Sequence, residues 1–174
     1  QLYKEMGCGD FGARQIEKLI KLMKKNENNV IQSDITPIKE LDKISGLTVF
    51  ETPGHSPDHI VFLDEKRKRL FSGDHLVGHI SSNAIVEPDR NGRRIQTLRQ
   101  YVHSLQKCSN LDIEIVYPGH GELIENPKEL FNYRIDRIHQ KSNQILALIK
   151  DRLTTGSQLA QAFYKDKYNS EFAL

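Results

Sequence analysis

Three features that would indicate particular classes of protein are missing or scarce in this sequence of 174 residues. No apolar run reaches the roughly 18 residues of a membrane-spanning helix, which excludes such a helix and predicts no membrane partner. Neither sign of charge dominates, because 25 Lys and Arg residues are balanced by 23 Asp and Glu residues, so composition makes no case for nucleic-acid binding. Cysteine is limited to Cys8 and Cys108, which fit free thiols in a reducing compartment and predict a cytoplasmic location.

The sequence does contain enough apolar residues for a globular core. Hydrophobic residues make up 37% and charged residues 28% of the chain, and apolar runs recur along it, which argues against disorder. The length of 174 residues corresponds to about one domain. The histidines are unevenly spread, since four of the seven lie between His55 and His79.

Short segments rich in β-forming residues, each interrupted by Gly, Pro or charge, predict a β-rich central region. Four strands are predicted, over residues 47–55, 59–64, 69–75 and 113–121. The charged run DEKRKR (64–69) predicts a solvated hairpin turn between two of them, with a phosphate contact as the less favoured alternative.

Apolar residues at helical spacing predict helices before, between and after these strands. The predicted helices cover residues 11–25, 93–107, 127–152 and a short segment from Ser157, and residues 26–34 are predicted to form a loop. Pro127 suits the first turn of the long helix, and Ser157 is predicted to cap the short one. The pattern predicts an α/β main portion followed by a small helical tail.

Three predicted strands run into loops of the same design, in which a glycine directly precedes a side chain able to bind a metal ion. The loops are TPGHSPDH (52–59), FSGDH (71–75) and YPGHG (117–121), which present His55, Asp74 and His120. A glycine lets the backbone turn sharply and approach a bound ion, and the preceding strand provides a rigid base. Imidazole and carboxylate together suit zinc first, with iron or manganese as alternatives. The loops therefore predict a metal site.

These three motifs resemble the third, fourth and fifth motifs of metallo-β-lactamase-fold hydrolases. The resemblance runs from about Leu47 to His120 and is most similar to the glyoxalase-II-like and lactamase-like endoribonuclease branches. It implies an α/β fold in which residues 1–127 form the second half of an αββα sandwich. Residues 128–174 more weakly resemble a long helix and the start of the winged-helix domain found in several of these branches.

Carried over position by position, the resemblance implies a site with two divalent metal ions. His55 would bind the first ion, His120 the second, and Asp74 would bridge both. A shared water would then lose a proton near neutral pH and attack an ester, thioester or phosphodiester. His59 aligns with a histidine that supports the ligands without binding a metal itself.

Other histidines are expected to lie outside the ligand set. His75 follows Asp74 directly, so on a strand its side chain would point to the opposite face. His79 lies with Ser81, Ser82 and Asn83 in a loop that the family uses near its substrate, so these residues are possible substrate contacts, with ordinary loop polarity as the alternative. His103 and His139 fall on predicted helices and are expected to be surface or packing residues.

The family's first motif, H-x-H-x-D-H, is absent, since no two histidines here are separated by one residue. The chain then holds three of the seven ligand positions that the family's pattern requires, and the catalytic aspartate of that motif is missing. We therefore expect the chain alone to bind metal weakly and to be inactive, as a fragment of a longer hydrolase. The start at Gln1 and the end at Leu174 agree with that expectation. The uncovered inner face of the half sandwich would favour self-association.

Two questions of function stay open at the level of sequence. A small ester or thioester substrate is favoured over RNA, because RKR (67–69) and RNGRR (90–94) form only a thin basic track. The alternative from another class is a non-catalytic module that binds nucleic acid or a partner through the helical tail. Lys165 and Lys167 are its only support, and Asp166 and Glu171 offset them.

Overall fold

The computed structural model describes residues 6–26, 33–86, 91, 93–150 and 155–164. They fall into two compact units, the sheet unit (Thr36–His139) and the helical unit (Gln1–Ile35 with Gln140–Leu174). The predicted loop at residues 26–34 lies largely outside the described residues, as do Lys165 and Lys167. Among the described helices, none combines the length and apolar character needed to cross a bilayer.

The described residues of the sheet unit form one mixed sheet of six strands that lie in sequence order. The strands are β1 (Lys43–Ile44), β2 (Leu47–Glu51), β3 (Ile60–Asp64), β4 (Arg69–Gly73), β5 (Ile115–Pro118) and β6 (Ile124–Glu125). Neighbouring strands are antiparallel except β4 and β5, which are parallel. The four predicted strands and the turn between β3 and β4 are confirmed, and so is the α/β class.

The described residues form four helices: α1 (Gly9–Asn26), α2 (Thr97–Ser109), α3 (Pro127–Ile149) and α4 (Gly156–Tyr164). The parallel pair β4–β5 requires a crossover connection, and α2 lies within it. The predicted second helix began too early, at residue 93, whereas α2 begins at Thr97. The predicted long helix is confirmed from Pro127, although it ends at Ile149.

The short helix α4 begins with a different cap from the one predicted. Thr155 Oγ1 accepts a hydrogen bond from the Gln158 amide at 3.3 Å, and Gln158 Oε1 accepts one from the Thr155 amide at 3.0 Å. This reciprocal pair is a capping box, in which the side chains satisfy amides that the first helical turn leaves free. The prediction of Ser157 as the cap was wrong, because Ser157 lies inside the first turn and its amide donates to the Met6 carbonyl.

One face of the sheet carries the hydrophobic core. Alternating residues of the central strands point to it, and α2 and α3 add the large side chains that cover them. The fully buried members include Val61, Leu70, Leu105, Val116, Cys108, Tyr101 and Phe131. Each large apolar side chain buried in this way contributes about 1.5–3 kcal/mol relative to exposure, so this layer holds the strands in register.

The opposite face of the sheet carries an aromatic row. Phe62 pairs with Phe71 across β3 and β4, and Phe71 pairs with Tyr117 across β4 and β5. The rings of Phe71 and Tyr117 stack with centroids 5.1 Å apart, while Phe71 remains 41% exposed. The sequence analysis predicts that the inner face of the half sandwich is uncovered, and we identify it with this aromatic face. Self-association through this face stays a prediction.

The two units divide the chain differently from the predicted boundary between residues 127 and 128. Helix α3 does begin at Pro127, but the sheet unit continues to His139. The described residues of 128–164 are helical and include no strand, so the winged-helix resemblance also stays a prediction.

Candidate metal centre

Strand direction brings the three glycine loops to one edge of the sheet. Strand β3 is antiparallel to both β2 and β4, so β2 and β4 run in the same direction, and β5 is parallel to β4. The carboxyl ends of β2, β4 and β5 therefore meet at the same edge. His55, Asp74 and His120 follow those three strand ends, which is why residues up to 65 positions apart in sequence become neighbours.

The carboxylate of Asp74 lies between two imidazole rings. Its Oδ2 is 3.5 Å from His55 Nε2, and its Oδ1 is 3.4 Å from His120 Nε2. Both separations exceed those of ordinary N–H···O hydrogen bonds. They match the separation of about 3.3–3.5 Å between two ligands of a tetrahedral ion with bonds near 2.0–2.2 Å. The two Nε2–carboxylate separations are thus those of ligands that could share a divalent ion.

The orientation of His55 is set by its other ring nitrogen. His55 Nδ1 lies 2.9 Å from the carbonyl oxygen of Asn83. A carbonyl oxygen only accepts, so Nδ1 carries a hydrogen, and in the neutral form of the ring Nε2 is the nitrogen without one. Nε2 is the nitrogen that faces Asp74, so this hydrogen bond leaves the Nε2 position available to a metal ion.

Gly119 makes room for the Asp74 carboxylate. A Cβ atom at position 119 would lie 3.0 Å from Asp74 Oδ1 and 3.2 Å from the carbonyl carbon of Gly73. The Gly119 amide also donates to the Gly73 carbonyl at 2.8 Å, which joins the β4 and β5 loops directly. The glycine therefore accommodates the close approach of two backbones beside the carboxylate.

His59 is held behind the ligand loops. Its Nδ1 lies 2.8 Å from the hydroxyl of buried Thr52, and its Nε2 faces Gly73, where an added Cβ would lie 3.2 Å away. Burial lowers the pKa of His59, and nearby His55 lowers it further, while the Asp74 carboxylate acts in the opposite direction. These contacts place the ring against the turn that presents Asp74. Its support of the ligands stays a prediction.

His75 points away from this edge into the core. Its side chain is 0% exposed and packs edge-on against Tyr101, with Phe131 and His59 also nearby. Burial lowers the pKa of His75 to about 3, and His59 acts in the same direction. Neither ring nitrogen makes a hydrogen bond of normal geometry with the described residues. The ring is therefore neutral at pH 7.

The loop that follows Asp74 contains the predicted substrate contacts. The His79 ring lies against Gly121, beside His120, because a Cβ at Gly121 would come within 2.8 Å of His79 Nδ1. The Ser82 hydroxyl donates to the Asp74 carbonyl, and Asn83 holds His55 through its own carbonyl. Ser81 is exposed. Substrate contact by these residues stays a prediction, and the contacts seen here connect the loop to the ligands.

Two further histidines lie on helices, and the number of metal ligands in the loops is small. His103 and His139 are exposed on α2 and α3 and belong to neither donor pair. Within the described ranges, no three His, Cys, Asp or Glu side chains come together closely enough to hold one metal ion. The donors instead form two pairs that share Asp74, and each pair has fewer ligands than the three or four of stable zinc sites. The donor set fits two bridged cations, each short of ligands.

Sequence reasoning did not find three residues that shape this site, namely Thr52, Tyr101 and Arg134. Thr52 bonds His59, Tyr101 donates its hydroxyl to the His75 carbonyl at 3.0 Å, and Arg134 bonds the loop after His75. Thr52 lies inside a quoted motif, so its position was a usable signal. Tyr101 and Arg134 lie on helices where nothing local marks them.

Comparison with known proteins supports the interpretation of the motifs. Residues 38–120 match the family model described as the Metallo-beta-lactamase superfamily. The chain is 35% identical over 135 residues to the probable metallo-hydrolase YqjP of Bacillus subtilis (strain 168), covering 77% of this chain and 42% of that protein. It is 34% identical over 100 residues to the atrochrysone carboxyl ACP thioesterase of Aspergillus fumigatus, covering 58% of this chain and 28% of that protein.

The fold agrees with the sequence matches. A metallo-beta-lactamase family protein from Thermus thermophilus superimposes with a TM-score of 0.66 at 24% identity, over 76% of this chain and 44% of that one. The chain spans less than half the length of each of these relatives. The three loop motifs lie within the matched residues 38–120, and the chain belongs to the metallo-beta-lactamase superfamily.

Proposed function

We propose that this chain supplies one side of a dinuclear metal site in a hydrolase that cleaves an acyl ester or thioester. The observation that carries the proposal is the position of Asp74, whose two oxygens face the Nε2 atoms of His55 and His120 at 3.5 and 3.4 Å. One carboxylate between two imidazoles on separate loops is the arrangement needed to hold two cations close together despite their repulsion. Zinc suits this donor set first, with iron or manganese as alternatives.

The residues of the chain have distinct tasks in this proposal. Bound divalent ions would lower the pKa of a shared water and polarise the substrate carbonyl. Asp74 would bridge the two ions, and the Asn83 carbonyl, which accepts from His55 Nδ1, turns the Nε2 atom of His55 toward Asp74. His120 is exposed, with 70% of its side chain accessible, so this end of the site is open to solvent and substrate. His59 supports the Asp74 turn from behind.

Each cation would still need further ligands. The superfamily's first motif is absent from the sequence, and the two donor pairs described above are too small for tight binding. We infer that the missing ligands, and the catalytic aspartate among them, come from a part of the protein outside this sequence. The chain alone is then a weak metal binder without efficient catalysis.

The substrate proposal rests on the positions of charge and on one relative. The basic run at 67–69 lies at the turn before β4, at the opposite end of that strand from Asp74. Arg67 forms an ion pair with Asp64, and Lys68 forms ion pairs with Asp112 and Glu114. The charges of these two side chains are therefore balanced by neighbouring carboxylates. A relative at 34% identity is named an ACP thioesterase. Both observations favour an acyl thioester or ester over RNA.

The non-catalytic alternative gains no support. Helix α4 contains no Lys or Arg, and Lys165 and Lys167 lie outside the described residues. Binding of nucleic acid or a partner through the tail therefore remains an idea from the sequence alone.

The metal site is tested by titrating zinc into the 174-residue chain and following its histidine resonances by NMR. We expect weak binding that shifts the ring signals of His55 and His120 together, and we expect Asp74→Asn to remove both shifts. His103→Ala and His139→Ala are the matched controls, because these exposed histidines lie on helices and belong to neither donor pair. Shifts that persist in Asp74→Asn, or that arise from His103 and His139, would contradict the proposal.

The substrate is tested in the longer polypeptide that supplies the remaining ligands. Acyl thioesters, acyl esters and a simple phosphodiester would be compared at equal concentration with zinc present. We expect hydrolysis of the thioester or ester, abolished by Asp74→Asn. Selective cleavage of the phosphodiester would overturn the substrate class while leaving the metal site intact.

A further inference from the structure

The loop that follows Asp74 is held almost entirely by side-chain donors. It has no regular secondary structure, so its carbonyls lack the partners that a helix or strand would provide. Seven of them instead accept bonds from five side chains: Asp74 from Ser82, His75 from Tyr101, Leu76 from Ser72, Val77, Gly78 and Ile80 from Arg134, and Asn83 from His55. The loop path is thus determined by these contacts.

Arg134 supports the largest share of this loop. Its Nη2 atom lies 3.1 Å from the Val77 carbonyl oxygen, 3.0 Å from that of Gly78 and 2.8 Å from that of Ile80. The residue lies one turn after Phe131, whose ring is buried in the core, so the start of α3 is anchored. A guanidinium is always charged and has several N–H donors in a fixed plane, so one side chain can donate hydrogen bonds to several carbonyl oxygens.

The far end of the same loop reaches the candidate metal centre. Two residues after Ile80, the Ser82 hydroxyl bonds the Asp74 carbonyl, and the Asn83 carbonyl then accepts the Nδ1 hydrogen of His55. The Asn83 group is a backbone carbonyl, so its position depends on the path of the loop. Whatever fixes residues 77–80 therefore also fixes the acceptor that selects the His55 tautomer.

We propose that Arg134 is a positioning residue for the metal centre. By fixing residues 77–80 it keeps the Asn83 carbonyl against His55 Nδ1, so that the other ring nitrogen, Nε2, faces Asp74. This inference rests on the proposed function in so far as His55 acts as a metal ligand. The link from Arg134 to the His55 tautomer is a property of the chain without metal and is measured separately.

The test is Arg134→Met, which keeps a long apolar side chain and removes the donors. Hydrogen exchange of the amides at residues 77–83 and the ring nitrogen shifts of His55 are measured at pH 8 without metal. We expect exchange to be at least about tenfold faster in this loop and His55 to populate both tautomers, because the bonds to the carbonyls are lost. Arg99→Met is the matched control, since the Arg99 guanidinium bonds Gln96 beside its own helix.

A purely structural role for Arg134 would give a different result. In that case Arg134→Met would lower the midpoint of thermal unfolding and speed hydrogen exchange throughout strands β2–β5. The His55 tautomer would be unchanged in the folded molecules, and this result would overturn the proposal. Arg134→Lys covers the case in which the methionine variant does not fold, because the lysine retains charge but lacks the planar fork. We expect intermediate loop exchange from this variant, and exchange as slow as in the native chain would also overturn the proposal.

Zinc titration separates this inference from the proposed function. Loss of a partner that orients a metal-binding histidine weakens metal affinity by about 10–100-fold, so Arg134→Met should weaken zinc binding by about tenfold. If His55→Ala leaves zinc binding unchanged, the proposed function fails, whereas a changed tautomer in Arg134→Met still supports the positioning role. If the tautomer is unchanged, the positioning role fails even where zinc binds as proposed.

Discussion

Gly54 lies so close to Tyr101 that no side chain fits between them. A Cβ atom at position 54 would be 2.4 Å from the Cα atom of Tyr101, and Gly54 has a φ of +139°, which L-residues rarely adopt. The adjacent Pro53 carbonyl accepts a bond of 2.8 Å from the Ser104 hydroxyl. The turn that presents His55 is therefore seated directly on α2.

Gly54→Ala should destabilise the chain by about 3 kcal/mol or more, because backbone strain adds to a clash with helix backbone that cannot rotate away. We also expect the zinc-induced shift of His55 to weaken, since the turn must move off α2. Chemical denaturation and the NMR titration measure the two effects. The control is Gly46→Ala, which has a φ of +85° and open space around the added methyl, and should lose only about 1–2 kcal/mol. Equal losses in the two variants would show that contact with Tyr101 does not matter.

Gly119→Ala should affect metal binding more than stability. Position 119 has no positive φ, so the added methyl brings no backbone strain, but it would press on Asp74 Oδ1 at 3.0 Å. We expect the carboxylate to shift, with zinc affinity falling by about tenfold and the free energy of unfolding by only about 1 kcal/mol. Zinc titration and denaturation at the same pH make the comparison.

Gly156→Ala, at the start of α4, is the control for that variant. The added methyl at Gly156 would lie 3.4 Å from Met6 Cε, which is an ordinary van der Waals contact. Its zinc affinity should stay that of the native chain. If Gly119→Ala binds zinc as the native chain does, the close approach to Asp74 has no role in the site.

Local features of the sequence were sufficient to predict the strands and the three loops. Each loop combines a β-forming run, a glycine and a polar residue within a few positions, so its signal does not depend on the rest of the fold. The class of fold followed from the order of those elements. The α4 cap was mispredicted because Ser157 and Thr155 both suit a cap, and the choice depends on Gln158 three residues after Thr155.

Long-range contacts could not be predicted in the same way. The parallel pairing of β4 with β5, which places His120 beside Asp74, depends on the crossover through α2. Arg134 bonds carbonyls 54 to 57 residues earlier in the chain, and on its own helix it is one charged residue among several. Such contacts arise from packing of the core, which sequence periodicity indicates only in general terms.

Thr52→Val tests whether His59 supports the ligands. The substitution keeps the shape of the buried Thr52 but removes the hydroxyl 2.8 Å from His59 Nδ1, which should cost about 1–2 kcal/mol of stability. If the His59 ring supports the Asp74 turn, the zinc affinity of Thr52→Val should also fall. Thr52→Ser, which retains the hydroxyl, should have the zinc affinity of the native chain. A stability loss with native zinc affinity would assign His59 to packing alone.

The stability of the sheet unit should fall in acid because of His75. Its pKa is about 3 in the folded chain, against about 6.5 for an ordinary histidine, so the unfolded chain binds the proton first as the pH falls. The stability present above about pH 6.5 is therefore lost progressively down to about pH 3. Between pH 7 and pH 5 this single group should cost about 2 kcal/mol, measured as the free energy of unfolding in urea.

His75→Leu isolates that contribution from the other groups that titrate in acid. The ring nitrogens make no hydrogen bond of normal geometry with the described residues, so an apolar side chain of similar size should cost less than about 1.5 kcal/mol at pH 7. The variant should then lose about 2 kcal/mol less than the native chain between pH 7 and pH 5. His103→Leu, on the exposed side of α2, should keep the native pH dependence. The free energy of unfolding of His75→Leu could instead fall between pH 7 and pH 5 as much as that of the native chain. His75 would then take up its proton equally in the folded and unfolded chains, and burial against Tyr101 and Phe131 would not hold the ring neutral.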